Sequence, residues 1–336
     1  MEIKNIVAIG ASAGGFKAIN QLLSNMPGNL PVAFLIVIHM SKNSQAGVIV
    51  KQLQKLTGYT CKVAEDGEEI KAGYIYLAPT NLHMLVKNGN IHLVNGPHEN
   101  RWRPSIDVLF RSVAASYDSH TTGVILSGLL DDGTAGMSAI KRSGGVCIVQ
   151  DPYEAEYEDM PKNVLNTVQV DHRVLVQDIG YIIADNLSKP SQDLPIPEDV
   201  KIEARINERM VSNIDELRLL GEHSDFTCPD CGGNLWEMKK DTVTRYRCHT
   251  GHAYTSLTLL ERQGEELEES VWISVRMLEE RRNLLLTMLQ RSKNIPGEAI
   301  QSDYQRRANE LKLHIERLKS FLVSLSKTGP GDEGYL

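Results

Sequence analysis

The stretch from Ile3 to Leu23 admits few folds. Ile6-Val7-Ala8-Ile9 is a short apolar run of the kind a buried strand needs, and Gly10-Ala11-Ser12-Ala13-Gly14-Gly15 follows it. Phe16, Ile19, Leu22 and Leu23 then recur at helical spacing. The pattern is strand, tight turn, helix, with one serine at the turn. Small neighbours let the backbone bend sharply and leave the Ser12 hydroxyl exposed above the strand end. Free N–H groups at the start of the helix favour negative charge there. Two functional readings fit. One is a G-x-S-x-G nucleophile turn. The other is a degraded dinucleotide fingerprint built on Gly10, Gly14 and Gly15, which expects an acidic residue at the end of the second strand.

That second strand is Val32–Ile38, and it ends in His39. A histidine suits a serine better than it suits a ribose. A helical stretch to about Leu56 follows, then short strands at Cys61–Ala64 and Gly73–Ala78. His83–Val94 reads as a hairpin turning at Asn88-Gly89. Strand and helix alternate again afterwards. Ser105–Ala115 is helical, Thr122–Leu126 is a strand, Thr134–Ser143 is helical and Val146–Gln150 is a strand. A weaker helix near Pro161–Asn166 and a last one over Val176–Leu187 close the unit. The expected fold is therefore α/β, a doubly wound, mainly parallel sheet with an antiparallel hairpin insertion. Ligands in such sheets bind outside the carboxyl ends of the strands. Ser12, His39 and the Leu129–Asp132 loop all lie just past strand ends, which points to one shared site. Ser12 needs a base and the base needs an orienting acid. His39 is the base by position, and the loop offers Asp131 and Asp132, one of which could merely cap the next helix.

The totals narrow the classes. The 336 residues leave room for two domains, and 41% hydrophobic with 24% charged residues is ordinary for a globular protein. A net charge of −7 argues against nucleic-acid binding through a basic field. No apolar run approaches the roughly 20 residues of a membrane span, and the N-terminus enters a strand directly, so neither membrane insertion nor a signal peptide is expected. The five cysteines are too few and too unevenly placed for a disulfide scaffold. A cytoplasmic location is expected.

Four segments carry a resemblance. They are G-A-S-A-G-G after the first strand, I-H-M after the second, N-R-W-R-P-S-I-D-V-L-F at Asn100–Phe110, and L-S-G-L-L-D-D-G-T-A-G-M at Leu126–Met137. In this order, over Ile3 to Leu187, they resemble the catalytic domain of the chemotaxis receptor methylesterases, the CheB family. The resemblance implies a protein-glutamate methylesterase with a Ser-His-Asp triad. Ser12 falls on the nucleophile, His39 on the histidine, and Asp132, directly before the glycine, on the aspartate. No cofactor is implied for catalysis. Backbone N–H groups at Ala13 and Leu129 are the oxyanion candidates, and Arg101 and Arg103 are candidates for holding the acidic segment around the substrate. Where the family usually has Met-Gly-Asn before the aspartate, this chain has Leu129-Leu130-Asp131. Family members often carry an N-terminal phospho-acceptor receiver domain. This chain begins at the catalytic strand, so control by phosphorylation within it is not expected. The resemblance also implies methylated chemoreceptor-like proteins as partners, and some members deamidate receptor glutamine by the same route. A non-catalytic adaptor that binds receptors or a methyltransferase is the competing reading; a nucleotide-binding domain is disfavoured by His39.

The remaining chain reads as a linker at 188–200, rich in proline, and then a small zinc-knuckle module at 201–255. Cys228-x2-Cys231, sixteen intervening residues, and Cys248-x3-His252 supply four ligands suited to tetrahedral structural Zn2+. His249 is the alternative ligand. An α-helical hairpin or coiled coil is expected at 256–327, with Leu260, Leu267, Val271, Leu278, Leu285 and Leu289 on the first helix and Leu311, Ile315, Leu318 and Leu322 on the second. Asn294–Gly297 would form its turn, and 328–336 a flexible tail. The helices suit packing on each other, a partner, or dimerisation.

Overall fold

The structure, a computed structural model, describes residues 4–28, 30–41, 44–189, 194–292 and 298–326. The chain forms two compact units, residues 1–259 and 260–336.

The first unit opens with β1 (Asn5–Ala11), α1 (Gly15–Ser24), β2 (Val32–Ile38), α2 (Ala46–Leu53), β3 (Thr60–Val63) and β4 (Tyr74–Leu77). The hairpin β5 (His83–Lys87) and β6 (Asn90–Val94) is followed by α3 (Ile106–Tyr117) and β7 (Thr121–Ile125). Then come α4 (Thr134–Arg142), β8 (Val146–Gln150), α5 (Asp159–Thr167), β9 (His172–Val174) and α6 (Ile179–Leu187). Seven strands form one parallel sheet in the order β3-β4-β2-β1-β7-β8-β9. This is the expected doubly wound α/β sheet, with one edge strand more than the sequence pattern disclosed. The strand β9 is three residues long and not buried, so it lacks the apolar run that betrays central strands.

Successive strand residues face opposite layers. Ile6 and Ala8 enter the core beneath α3 and α4, while Val7 and Ile9 enter the one that holds α1 and α6. Both faces are covered, so β1 and β2 read as unbroken apolar runs. The hairpin forms its own two-stranded sheet. Its turn has positive φ at both Asn88 (50°) and Gly89 (77°), the geometry that matches strand twist.

The rest of the first unit is α7 (Glu198–Arg209), α8 (Ile214–Leu220) and the antiparallel strands β10 (Gly221–Thr227), β11 (Asn234–Met238), β12 (Arg245–Cys248) and β13 (Ala253–Thr255). Helix α7 starts inside the proline-rich stretch, directly after Pro197, with Glu198 and Asp199 favourably placed in its first turn. It buries Val200, Ile202 and Ile206. The four-stranded sheet has a core of Cys228, Leu235, Tyr246, Cys248, Tyr254 and Leu259. A buried ionic cluster joins this sheet to α3 and α7. The Arg247 guanidinium donates to Glu99 Oε2 at 3.0 Å, Arg245 donates to both Glu203 oxygens at 2.7 and 2.6 Å, and Arg111 pairs with Glu99. Burial opposes ionisation of Glu99 and Glu203, but the surrounding guanidinium groups outweigh it and lower both carboxyl groups. Removing one partner of such a cluster strands the others, at a typical cost of about 3–5 kcal/mol.

The second unit contains most of α9 (Ser256–Ser292) and all of α10 (Glu298–Ser326). Val275, Ala308, Ile315 and Leu322 are buried, whereas Leu260 and Leu267 of the expected seam are exposed. The expected turn at Asn294–Gly297 and the tail at 328–336 lie outside the described residues. No helix among the described residues is long and apolar enough to cross a membrane.

Candidate active site

Ser12 follows the last residue of β1, in the turn before α1. The turn closes through Gly15 N–H to Ser12 O at 2.9 Å, and Gly14 adopts φ +69°. A Cβ on Gly14 would lie 2.7 Å from Ser127 Oγ, so glycine is required by both conformation and space. The loop after β7 presses on the serine from the other side. Ser12 N–H donates to Ser127 O at 3.0 Å, and a Cβ on Gly128 would stand 2.9 Å from Ser12 Cβ.

His39 extends the β1–β2 pairing by one step, donating its backbone N–H to Ala11 O at 3.0 Å. Its ring spans the two remaining partners. Nδ1 lies 3.2 Å from Ser12 Oγ, and Nε2 lies 2.8 Å from Asp132 Oδ2. The usual serine-protease triad uses the two nitrogens the other way round. With the ring proton on Nε2 and directed at Asp132, the Nδ1 lone pair faces the serine. The indole of Trp102 stacks on the imidazole, centroids 4.1 Å apart and planes 9° from parallel.

Asp132 is 2% exposed and sits against the N-terminus of α3. Oδ2 also accepts from Ile106 N–H at 2.7 Å. Oδ1 accepts from Ser105 Oγ–H at 2.9 Å, from the Asn100 side-chain amide at 3.0 Å and from Asp107 N–H at 3.2 Å. Burial favours the neutral acid, but the hydrogen bond and charge of His39, the Asn100 amide and the Ile106 N–H prevail, and the carboxyl is held below its ordinary value. Asp107 goes the other way. Burial and the adjacent Asp132 charge raise it well above its ordinary value, although Gly136 N–H donates to its Oδ1 at 2.6 Å. Two carboxyl groups that share the Asn100 amide are thereby pushed in opposite directions, Asp132 down and Asp107 up. His83 supports this arrangement: burial pushes it down to about 4, so a neutral Nδ1 accepts the Ser105 N–H at 3.2 Å.

The structure thus brings Ser12, His39 and Asp132 into one hydrogen-bonded chain, and of the two adjacent aspartates it is Asp132 that meets His39. Among the described residues, the backbone N–H groups of Ala13 and Leu129 donate to no protein acceptor. Leu130, where the family resemblance expects glycine, has φ +63°, a left-handed conformation that costs a branched-chain residue about 1–2 kcal/mol. Arg103 directs its guanidinium to Asn81 Oδ1 and Gly96 O, clamping the loop. Arg101 occupies a turn at φ +72°. The sequence reading passed over Asn100, Trp102, Ser105 and Asp107, although all four lie in the Asn100–Phe110 segment that it singled out.

The model of the CheB methylesterase family matches residues 7–183. That span is more than half of the chain and contains the whole Ser12–His39–Asp132 arrangement. The chain belongs to the CheB methylesterase family. A putative protein-glutamate methylesterase/protein-glutamine glutaminase of Leptospira interrogans is 38% identical over 177 residues, which are 52% of this chain and 91% of that one. The protein-glutamate methylesterase/protein-glutamine glutaminase of Photorhabdus laumondii is 38% identical over 172 residues, which are 50% of this chain but only 49% of the relative. The crystal structure of the Thermotoga maritima CheB methylesterase catalytic domain superposes with a TM-score of 0.52 at 32% identity, covering 54% of this chain and 98% of that domain. The CheB match ends before α7, so the four-stranded sheet lies beyond it.

That sheet gathers Cys228, Cys231, Cys248 and His252, whose ligand atoms all lie within 4.8 Å of one another. Cys231 Sγ is 3.7 Å from Cys248 Sγ, and His252 Nδ1 is 3.5 Å from Cys248 Sγ and 3.7 Å from Cys228 Sγ. Tetrahedral zinc with ordinary bond lengths needs edges of about 3.8 Å between sulfurs and about 3.6 Å from sulfur to nitrogen. The donor set and its spacing fit a metal ion, with His252 rather than His249 as the fourth member.

Proposed function

We propose that this chain is a serine hydrolase that removes methyl esters from glutamate side chains of chemoreceptor-like proteins. The observation that carries this reading is the continuous Ser12–His39–Asp132 chain at the carboxyl edge of a CheB-family sheet. In the proposed mechanism, His39 Nδ1 takes the Ser12 proton while Oγ attacks the ester carbonyl. Asp132 stabilises the imidazolium and keeps its orientation. The Ala13 and Leu129 N–H groups receive the oxyanion; one such donor is typically worth about 10²–10³ in rate. His39 then protonates the departing methanol, leaving a glutamyl ester on Ser12. Water, deprotonated by His39, attacks that ester, and the glutamate carboxylate leaves as Ser12 regains its proton.

Glutamine deamidation is the second activity to test. The relatives' names join glutaminase to methylesterase, and the same acyl-enzyme forms when ammonia replaces methanol as the leaving group. In this reading the cysteine cluster holds structural zinc, the protein works in the cytoplasm, where thiols stay reduced, and Arg101 faces the acidic surroundings of the substrate. Exposed Trp272, Met277 and Leu284 on α9 are the residues to probe for contact with receptor, methyltransferase or a second copy.

The deciding experiment is methanol release from a methylated receptor fragment by the wild type and by Ser12→Ala. Release by the wild type that vanishes in the variant supports the esterase. Receptor binding with no release by either protein supports the adaptor reading instead. Metal analysis should find one zinc per chain, lost in Cys248→Ser.

A further inference from the structure

The residues that flank the metal ligands also hold the loop that holds the triad. Strand β13 begins immediately after His252. Its first residue, Ala253, accepts the Asn100 N–H at 2.8 Å and pairs with Glu99 in a parallel bridge. Its last residue, Thr255, donates its N–H to Asn100 Oδ1 at 3.2 Å. The other end of the Asn100 side chain reaches Asp132 Oδ1 at 3.0 Å and Asp107 Oδ2 at 2.8 Å. Asn100 is 2% exposed, with φ +50°. Its amide therefore bridges β13 and the triad acid, with one end on each. Two residues on, Trp102 stacks on His39, and its backbone exchanges two hydrogen bonds with Glu99 at 3.0 and 3.2 Å.

The second ligand-bearing element holds the same loop. Arg247, the residue before Cys248, donates to Glu99 Oε2 and to Gly251 O at 3.2 Å, inside the Cys248–His252 turn. Both flanks of the Cys-x3-His segment thus end on the Glu99–Trp102 loop. Four ligands on one ion would lock the segment into a single conformation, as metal closure does in small modules that cannot hold themselves together.

We propose that metal occupancy of the knuckle positions the triad, through Asn100 on Asp132 and Trp102 on His39, so that loading with zinc sets the catalytic competence of Ser12. The proposal rests on the esterase reading only for its kinetic readout; its structural readout is the His39 ring proton. Asn100 is a positioning residue here, acting through Asp132.

The test is a cycle on the full chain. Zinc is stripped by a chelator, its removal verified by elemental analysis, and then restored as zinc sulfate. The same treatment is applied to Asn100→Ala. Two quantities are followed: kcat and KM for a small activated ester, and the downfield NMR signal of the His39 Nε2 proton. Stripping the wild type should lower kcat about tenfold with little change in KM, as loss of an outer contact of this kind commonly does, and should move or broaden the His39 signal; zinc should restore both. Asn100→Ala should lose part of this factor while still holding zinc, and stripping it should then cost less than stripping costs the wild type, because the Asn100 half of the connection is already cut and only the Trp102 half remains. Unchanged kcat and an unchanged His39 signal after verified removal would overturn the proposal. So would multiplication of the two losses, the result expected if stripping simply unfolds the enzyme. If no ester is turned over at all, the esterase reading fails, and the His39 signal alone still decides the coupling.

Discussion

Replacing Asp132 with asparagine changes one oxygen into an amino group and leaves the shape intact. The consequence follows from the five donors around the carboxylate. Oδ2 faces His39 Nε2 and the Ile106 N–H, while Oδ1 faces the Asn100 amide, the Ser105 hydroxyl and the Asp107 N–H. An amino group at the Oδ1 site meets three donors. At the Oδ2 site it meets two, and one of them, His39, can move its proton. The variant therefore places its amino group against His39, and the imidazole shifts its proton from Nε2 to Nδ1. That proton now points at Ser12, where the lone pair is needed. The same inversion in a serine protease costs about 10⁴ in kcat, or about 5.5 kcal/mol of barrier. The Ile106 N–H is left facing a donor, which costs a further 1–3 kcal/mol or so of stability. Ester hydrolysis and urea unfolding of Asp132→Asn, beside Asp131→Asn as control, measure both effects. A folded Asp132→Asn enzyme working within tenfold of wild type would refute the assignment of Asp132 as the orienting acid.

Three further outcomes are expected. Burial and the neighbouring Asp132 charge raise the Asp107 carboxyl well above its ordinary value, so the fold favours its protonated form more than the unfolded chain does. Its contribution is complete below the unfolded value of about 4 and declines as pH rises towards its raised native value, by up to about 1.4 kcal/mol per pH unit. The stability of Asp107→Asn relative to wild type should accordingly improve between pH 4 and pH 7, and a difference independent of pH would contradict a raised Asp107. Trp102→Ala removes the stacked partner of His39; such contacts carry about 0.5–1.5 kcal/mol, so kcat should fall roughly two- to tenfold, and an unaltered kcat would mean that the stack does not restrain the ring. Gly128→Ala would put a methyl group 2.0 Å from the Met160 sulfur and 2.9 Å from Ser12 Cβ. Displacement of the nucleophile on the scale of 1 Å can cost about 10²-fold, and full activity in this variant would show that the loop gives way without moving Ser12.

The two halves of the first unit differ in how far their chemistry could be read in advance. Ser12, His39 and the Asp131-Asp132 pair were legible because each follows a strand, and the family resemblance selected Asp132 from the pair. Central parallel strands, buried on both faces, announce themselves as unbroken apolar runs, and their carboxyl ends point to one crevice. The candidate metal site was legible for a similar reason: a knuckle is local, and Cys-x2-Cys with Cys-x3-His spacing encodes most of its own geometry. The edge strand β9 and the helix α7 were harder. One is too short and exposed to carry a pattern, and the other begins within a run of prolines.

What no local pattern could disclose is the company these residues keep. Asn100 is one polar residue in a loop until β13 and the start of α3 close around it. Nothing local in the sequence marks Glu99, Glu203, Arg111, Arg245 and Arg247, yet all five are buried together. Asp132 and Asp107 are both acids in the sequence, and only their packing against each other and against α3 lowers one carboxyl and raises the other. By itself the sequence pattern determined the central strands, the placement of Ser12, His39 and the Asp131-Asp132 pair past their ends, and the cysteine spacing of the candidate metal site, because backbone periodicity and short-range spacing specify them; the choice of Asp132 came from the family resemblance. The connection between ligands and triad was decided by the tertiary structure, because it runs through contacts between segments about 150 residues apart, whose energy depends on a burial that neither segment has alone.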